Sequence, residues 1–360
     1  MDTTHTPPPG PVSRRDARAP DWISYALGLA LHVDARPAQD SSQLLRIGAH
    51  DGPRSLWTLH AQDDTGKLHC QDGAGDDTLP AHTLAALDAA FGLHPALRRI
   101  DLPQAPRLAP QLASAASPGP GGSAPAIIPR AALWQLPALW LPPGPTDTPY
   151  AEHWTWTGSR RHPARKPQPS GVAYRRFIPW LGRTLTLRSA DPDADLPHFH
   201  RWMNDPHVAE FWQETGTPEQ HRAYLARLAA DAHAAPLIAA LDDTPFAYVE
   251  TYWAQEDRLA PYYDADDYDR GWHVLVGEPA FRGKDFLTAW MPSVSHYLLL
   301  DDCRTRRIVI EPRADNARMI RSLGRCGYAL QKEFDFPHKR AMLGMLLRER
   351  FFSDALWIPG

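Results

Sequence analysis

The chain has 360 residues, of which 43% are hydrophobic, and a formal net charge of −4. That size and apolar content suit two domains or one domain with a large extension, and so small a charge gives no support to a general nucleic-acid role. Three cysteines (Cys70, Cys303, Cys326) without a CxxC pair argue against a disulfide framework or a structural zinc site and fit a reducing cytoplasm.

Residues 1–20, rich in Pro, Arg and Thr, read as a disordered tail, and without an apolar h-region they are not a secretory signal. No run of about 18 uncharged apolar residues occurs, so no membrane span is expected. Residues 21–103 read as a smaller N-terminal α+β domain. DWISYALGLALHVDA suits helix or strand, while LLRIGAH, SLWTLHAQ and LHCQ read as short strands. HTLAALDAAFGLHPALRRI (82–100) reads as a helix with a Gly break. The histidines here (His32, His50, His60, His69, His82, His94) fall singly, without ligand spacing.

Residues 104–172 read as a Pro-rich linker and strap: Pro, Ala, Gly and Ser over 104–130, then a basic, aromatic stretch suited to a peripheral lid. The second domain spans 173–360. TLTLRSA is a strand, and the polar turn Asp191–Asp195 caps the next helix. TPEQHRAYLARLAADAHA is an amphipathic helix with Tyr224, Leu225 and Leu228 on one face. LIAALD and FAYVETYW form a hairpin, YYDADDYDRG an acidic loop, and WHVLVG a strand. A helix (286–300), the strand RRIVIEPRADN, the helix ARMIRSLGRCGYAL and the strands of KEFDFPHKRAMLGML complete the order β-α-α-β-β-β-α-β-α-β.

The stretch WHVLVGEPAFRGKDF (272–286) carries the most chemistry. Strand, Gly-bearing turn and helix present a row of backbone N–H groups at a helix N-terminus, which binds phosphate. It is neither a P-loop nor a dinucleotide fingerprint. Arg282-Gly283-Lys284-Asp285 resembles the Arg/Gln-x-x-Gly-x-Gly/Ala signature of GNAT acetyltransferases, with Asp285 where a second Gly or Ala is usual. HRWMNDPHVAEFW (200–212), YVETYW (248–253), YYDADDYDRGWHVLVG, IEPRADN (310–316) and FPHKRAML (336–343) narrow the likeness. Over roughly residues 175–352 the chain resembles the siderophore-pathway acyltransferases that acylate N-hydroxylated amines, a family that includes those of aerobactin and mycobactin synthesis.

The resemblance implies a GNAT fold whose mixed sheet splays around its fourth and fifth strands, and acetyl-CoA or another acyl-CoA as co-substrate. It implies an N-hydroxylated small-molecule acceptor; the chain itself shows no metal-ligand set, and no nucleic acid or membrane partner is expected. The N-terminal extension favours a hydroxylated amino acid, N6-hydroxylysine first and N5-hydroxyornithine second. His273 is the implied base. Asp315 orients it, binds the acceptor's α-amino group, or simply caps a helix; Arg313 stands where the family has its acidic residue. Tyr328 is the implied donor to the leaving thiolate. Leu275 and Val276 pair with the pantetheine amides, and Asn316 touches that arm. The N–H groups around Arg282, Gly283, Lys284, Asp285 and Phe286 face the pyrophosphate. Trp202, Asn204, Phe211, Trp212, Tyr252, Trp253 and Asp267 (or Asp269) are the acceptor set. Other readings are an N-hydroxylated diamine as acceptor, an aminoglycoside-type N-acetyltransferase, or a non-catalytic partner in a siderophore synthetase assembly. Homodimerisation and an N-terminal domain that is a worn-down copy of the same fold are further expectations.

Overall fold

The computed structural model describes residues 22–102, 112, 116, 126–144 and 150–359, except 39 and 74. The expected N-terminal tail lies outside them. Two sheets organise the chain. The first holds β1 (Trp22–Ser24), β2 (Leu31–Pro37), β3 (Gln43–Gly48), β4 (Arg54–Gln62), β5 (Thr65–Asp72), β6 (Arg99–Leu102) and β7 (Ala126–Pro129), in that spatial order. Neighbours are antiparallel except β5 and β6, which are parallel and joined through α1 (Leu79–Leu93).

Three local expectations change here. The 21–35 stretch is strand–turn–strand, reversed at Leu27 and Gly28, both with positive φ. The helix read over 82–100 stops at Leu93, because Pro95 disfavours helical backbone at His94, and residues 99–102 are a strand. The linker expected over 104–130 falls mostly outside the described residues, but Ala126–Pro129 is the edge strand β7, with Ile128 fully buried. α1 is buried almost all round. Its small residues let the strands close on it, and a Cβ on Gly92 would lie 1.8 Å from the Trp22 ring.

A short hairpin, β8 (Trp154–Thr157) with β9 (Arg160–Pro163), precedes the second sheet. That sheet comprises β10 (Val172–Ile178), β11 (Arg183–Ser189), β12 (Ala234–Leu241), β13 (Thr244–Trp253), β14 (Arg270–Val276), β15 (Arg307–Ile310), β16 (Ala329–Asp335) and β17 (Arg340–Leu347), ordered 10-11-12-13-14-15-17-16. The period-2 alternation divides its faces. Ile238, Tyr248 and Leu275 pack with α2 (Leu196–Met203), α3 (Pro206–Trp212) and α4 (Pro218–Ala229). Leu237, Val249 and Trp272 belong to the other core, with α5 (Lys284–Asp301). α6 (Ala317–Arg325) and α7 (Arg348–Ser353) flank the last strands.

The splay follows from pairing. β14 and β15 are parallel and paired only at Arg270–Ile308 and Gly271–Val309. Gly271 leaves room for the Tyr252 ring of β13, since a Cβ there would lie 2.1 Å from it. Beyond it the strands part, and Pro312 has no N–H with which to continue the ladder. The edge of β14 from Trp272 onward is therefore open.

The core of the second sheet continues into the N-terminal half. The Trp22 and Phe177 rings are 5.0 Å apart. His296 of α5 bonds the Tyr174 hydroxyl at 3.0 Å and the Trp134 carbonyl at 2.7 Å. Trp134 stacks on Trp357 at 4.2 Å.

Candidate active site

A cleft of about 920 Å³ opens where β14 and β15 part. His273 of β14 stands in it, directly opposite Glu250 of β13 in the ladder. Its Nδ1 is 3.4 Å from Glu250 Oε2, and its Nε2 is 2.8 Å from Oε1 of Glu311, just past β15. Hydroxyls satisfy the remaining carboxylate oxygens. Tyr224 and Tyr248 donate to Glu250 Oε1 at 2.5 and 3.0 Å, and Tyr252 donates to Glu311 Oε2 at 2.7 Å. Lys339 Nζ donates to the Glu311 carbonyl at 2.8 Å and lies 3.6 Å from its carboxylate.

Burial opposes a charge on His273, but the Glu311 charge and the hydrogen bonds to Glu250 and Glu311 outweigh it and hold the imidazole at about 10. Burial likewise works against both carboxylates, yet His273 holds Glu311 and Glu250 below their ordinary range. The side chain of His273 is 27% exposed and that of Glu311 is 0%. The imidazolium is thus the member of the pair that meets the cleft.

The acceptor set divides. Phe211, Trp212 and Tyr252 line the cleft. Trp202 does not: it is fully buried, its Nε1 donates to Glu278 Oε1 at 2.9 Å, and a Cβ on Gly277 would lie 2.1 Å from its ring. Asn204 staples a loop, accepting from Gly216 N and donating to Gly216 O, both at 3.1 Å. Trp253 lies beneath the Arg270 and Arg165 guanidiniums at 4.0 and 4.2 Å. Asp267 lies in the acidic loop, outside the residues that line the cleft. Asp269 is buried and gripped by Arg307 at 2.8 and 2.7 Å.

Two of the expected catalytic residues are also elsewhere engaged. Asp315 is exposed and paired with Arg313 at 3.0 and 2.5 Å rather than with His273. It is not the helix cap either. Asn316 is, with its Oδ1 accepting from Met319 N at 3.0 Å, so the carboxamide oxygen is committed to the helix. Tyr328 is buried, and its hydroxyl bonds Trp272 Nε1 and Ser295 Oγ, each at 2.8 Å. It ties β14 to α5, and burial pushes its phenol above the ordinary range.

The open edge of β14 has its own polarity. Ala254 N donates to Asp269 O and Gly277 N to Phe246 O, both at 2.9 Å. Odd-numbered residues of β14 therefore turn their backbone groups to β13, and Val274 and Val276 turn theirs outward. Leu275, expected to meet the pantetheine arm, turns its backbone groups to the ladder, whereas those of Val274 face the open edge. Two side chains cap the outward carbonyls: Trp212 Nε1 reaches Val274 O at 3.2 Å, and Arg282 Nη2 reaches Val276 O at 3.0 Å. The Arg282 guanidinium thus turns to the strand end. Gly283 is the N-cap of α5 at φ 123° and supplies no side-chain cap, so the first-turn N–H groups of Lys284, Asp285 and Phe286 stay unbonded within the helix. That is a fit for a pyrophosphate.

Sequence reasoning missed Glu250 and Glu311. The signals were a lone carboxylate inside the apolar strand FAYVETYW and another closing RIVIE. It also saw no metal-ligand set, whereas His162, His233 and Glu256 bring ligand atoms within 4.8 Å of one another. Arg165 already grips Glu256 at 2.5 and 2.8 Å, and Thr157 bonds both imidazoles, so the cluster fastens the β8–β9 hairpin.

Comparison with known proteins identifies the family. Residues 191–336 match the acetyltransferase (GNAT) domain family. The N(6)-hydroxylysine O-acetyltransferase of Escherichia coli is 46% identical over 230 residues, covering 63% of this chain and 72% of that protein. The chain belongs to the siderophore-biosynthesis acyltransferases of the GNAT family. Two fungal relatives are similar over less of their length. An N(5)-hydroxyornithine:cis-anhydromevalonyl coenzyme A-N(5)-transacylase of Beauveria bassiana is 50% identical over 53% of this chain and 43% of its own. A hydroxyornithine transacylase of Ajellomyces capsulatus is 37% identical over 63% and 58%. GNAT acyltransferases use an acyl-CoA, and in this acyltransferase the α5 N-terminus and the β14 edge are the features that would hold it. No helix among the described residues is long and apolar enough to cross a membrane.

Proposed function

We propose that this acyltransferase moves an acyl group, acetyl first, from coenzyme A to the hydroxylamine nitrogen of an N-hydroxylated amino acid, N6-hydroxylysine first and N5-hydroxyornithine second. The cytoplasm, where acyl-CoA is made, is its proposed compartment. The observation that carries the reading is His273 held as a cation between two carboxylates beside the open edge of β14.

A plain alkylammonium must lose a proton before it can attack, which calls for a free base. The imidazolium has no lone pair to offer. An N-hydroxylated amine is far less basic and arrives neutral. It then needs only orientation and a weak acceptor, because its nitrogen becomes strongly acidic once the C–N bond has formed. Glu250 Oε2 suits that role, since its 3.4 Å contact with His273 is looser than the 2.8 Å contact that Glu311 makes with the same ring. In this mechanism the nitrogen attacks the thioester carbonyl, its proton passes to Glu250, and the C–S bond breaks to release the thiolate. His273 keeps Glu250 ionised between turnovers, and Glu311 with Tyr252 fixes the ring. His273 is then a positioning residue rather than the base.

Attack through the hydroxylamine oxygen is the second reading, favoured by the name of the Escherichia coli relative. Fe(III) separates the two, because a hydroxamate offers it two hard oxygens and an O-acyl hydroxylamine does not. Products of acetyl-CoA and N6-hydroxylysine should form a coloured ferric complex. Thiol release without colour would overturn the hydroxylamine nitrogen as acceptor.

A further inference from the structure

We propose that Asp257 and Arg258, with Lys339 beside them, form a subsite for the zwitterionic head of the acceptor, the α-ammonium on Asp257 and the α-carboxylate on Arg258. The inference rests on the acceptor class proposed above and deepens it.

Its place comes from the ladder. Trp253 ends β13 opposite Arg270, at the end of β14 away from the Gly283 turn. The loop after β13 carries Asp257 and Arg258 into the cleft wall, and the turn before β17 brings His338 and Lys339 to the same wall. The coenzyme features occupy one end of β14, His273 its middle, and this pair the other end. An acceptor lying with its hydroxylamine at His273 points its remaining length toward Asp257 and Arg258.

The charges fit that head. Most cations on the cleft wall are already matched: Arg313 by Asp315, Arg340 by Glu333 and Lys339 by Glu311. Arg258 is exposed and has no ion pair or side-chain hydrogen bond among the described residues; its guanidinium lies 5.7 Å over the Phe336 ring. Asp257 is its neighbour of opposite sign. Its Oδ1 accepts from Leu259 N at 2.8 Å, and no cation of the described residues forms an ion pair with it. Burial and the Glu311 charge raise its carboxyl, a strain that a bound ammonium relieves. Arg227 also lacks an ion pair among the described residues, but it lies over the Tyr224 ring at 5.1 Å, on α4 and away from the loop after β13. The Asp257–Arg258 pair presents both signs in adjacent residues that form no ion pair with each other or with any other described residue.

The test compares N6-hydroxylysine with N-hydroxycadaverine, which keeps the amine and lacks the carboxylate, by thiol release from acetyl-CoA. Arg258→Gln should cut the kcat/KM preference for the amino acid about a hundredfold, chiefly through KM. Asp257→Asn should weaken both acceptors. Equal effects of Arg258→Gln on the two acceptors, or no effect, would overturn the subsite while leaving the acyl transfer standing. Thiol release with neither acceptor in the wild-type protein would overturn both.

Discussion

Glu250, His273 and Glu311 make one unit, and its charge state governs what the cleft can do. A histidine raised from 6.5 to about 10 stabilises the fold fully below the ordinary imidazole range, and that contribution is lost as pH rises through about 10. Glu250 and Glu311, held low, contribute above the ordinary carboxylate range and lose it as pH falls. The array is intact between those limits. With Glu250 as acceptor, kcat is flat across neutral pH and declines above about 10. A histidine base of the same pKa would instead give kcat rising with unit slope toward that pH. Glu250→Gln keeps the shape of the site and removes the acceptor, so kcat should drop by about a hundredfold or more with little change in the KM for acyl-CoA.

The turn between β14 and α5 acts through backbone rather than side chains. Gly283 sits at φ 123°, and a Cβ there would meet nothing within 4 Å. The glycine is required by conformation, not by space. Gly283→Ala should therefore re-aim the first N–H groups of α5, raising the KM for acyl-CoA about tenfold while kcat at saturation changes little. Unchanged KM would show that these groups do not hold the coenzyme. Much of this element was legible in the chain, because a Gly turn between an apolar strand and a long helix is a local pattern. The helix cap at Asn316 was not assigned, since Asp315 and Asn316 are both good caps and only the folded backbone selects one.

At the scale of the molecule, the two sheets share a connectivity: an antiparallel meander, a helical crossover to a parallel strand, then an antiparallel neighbour. They differ in charge where a phosphate would sit. Asp76 and Asp77 precede α1, whereas Arg282 and Lys284 flank the turn before α5. The strands and hairpin of the acyltransferase half were legible from alternation and turn residues. The carboxylate–imidazole array was not, because Glu250 and Glu311 meet His273 through strand register and splay, which no local window contains. Trp202 and Trp253 misled for a related reason: an aromatic's sequence neighbours do not say whether its ring faces a cleft or a core.

The most direct measurement is thiol release from acetyl-CoA with N6-hydroxylysine and with lysine, side by side at neutral pH. A cleft without a free base should acylate the hydroxylated amine faster by about a hundredfold or more, since only that amine arrives neutral. Lysine turning over as fast or faster would contradict the account and leave only the fold.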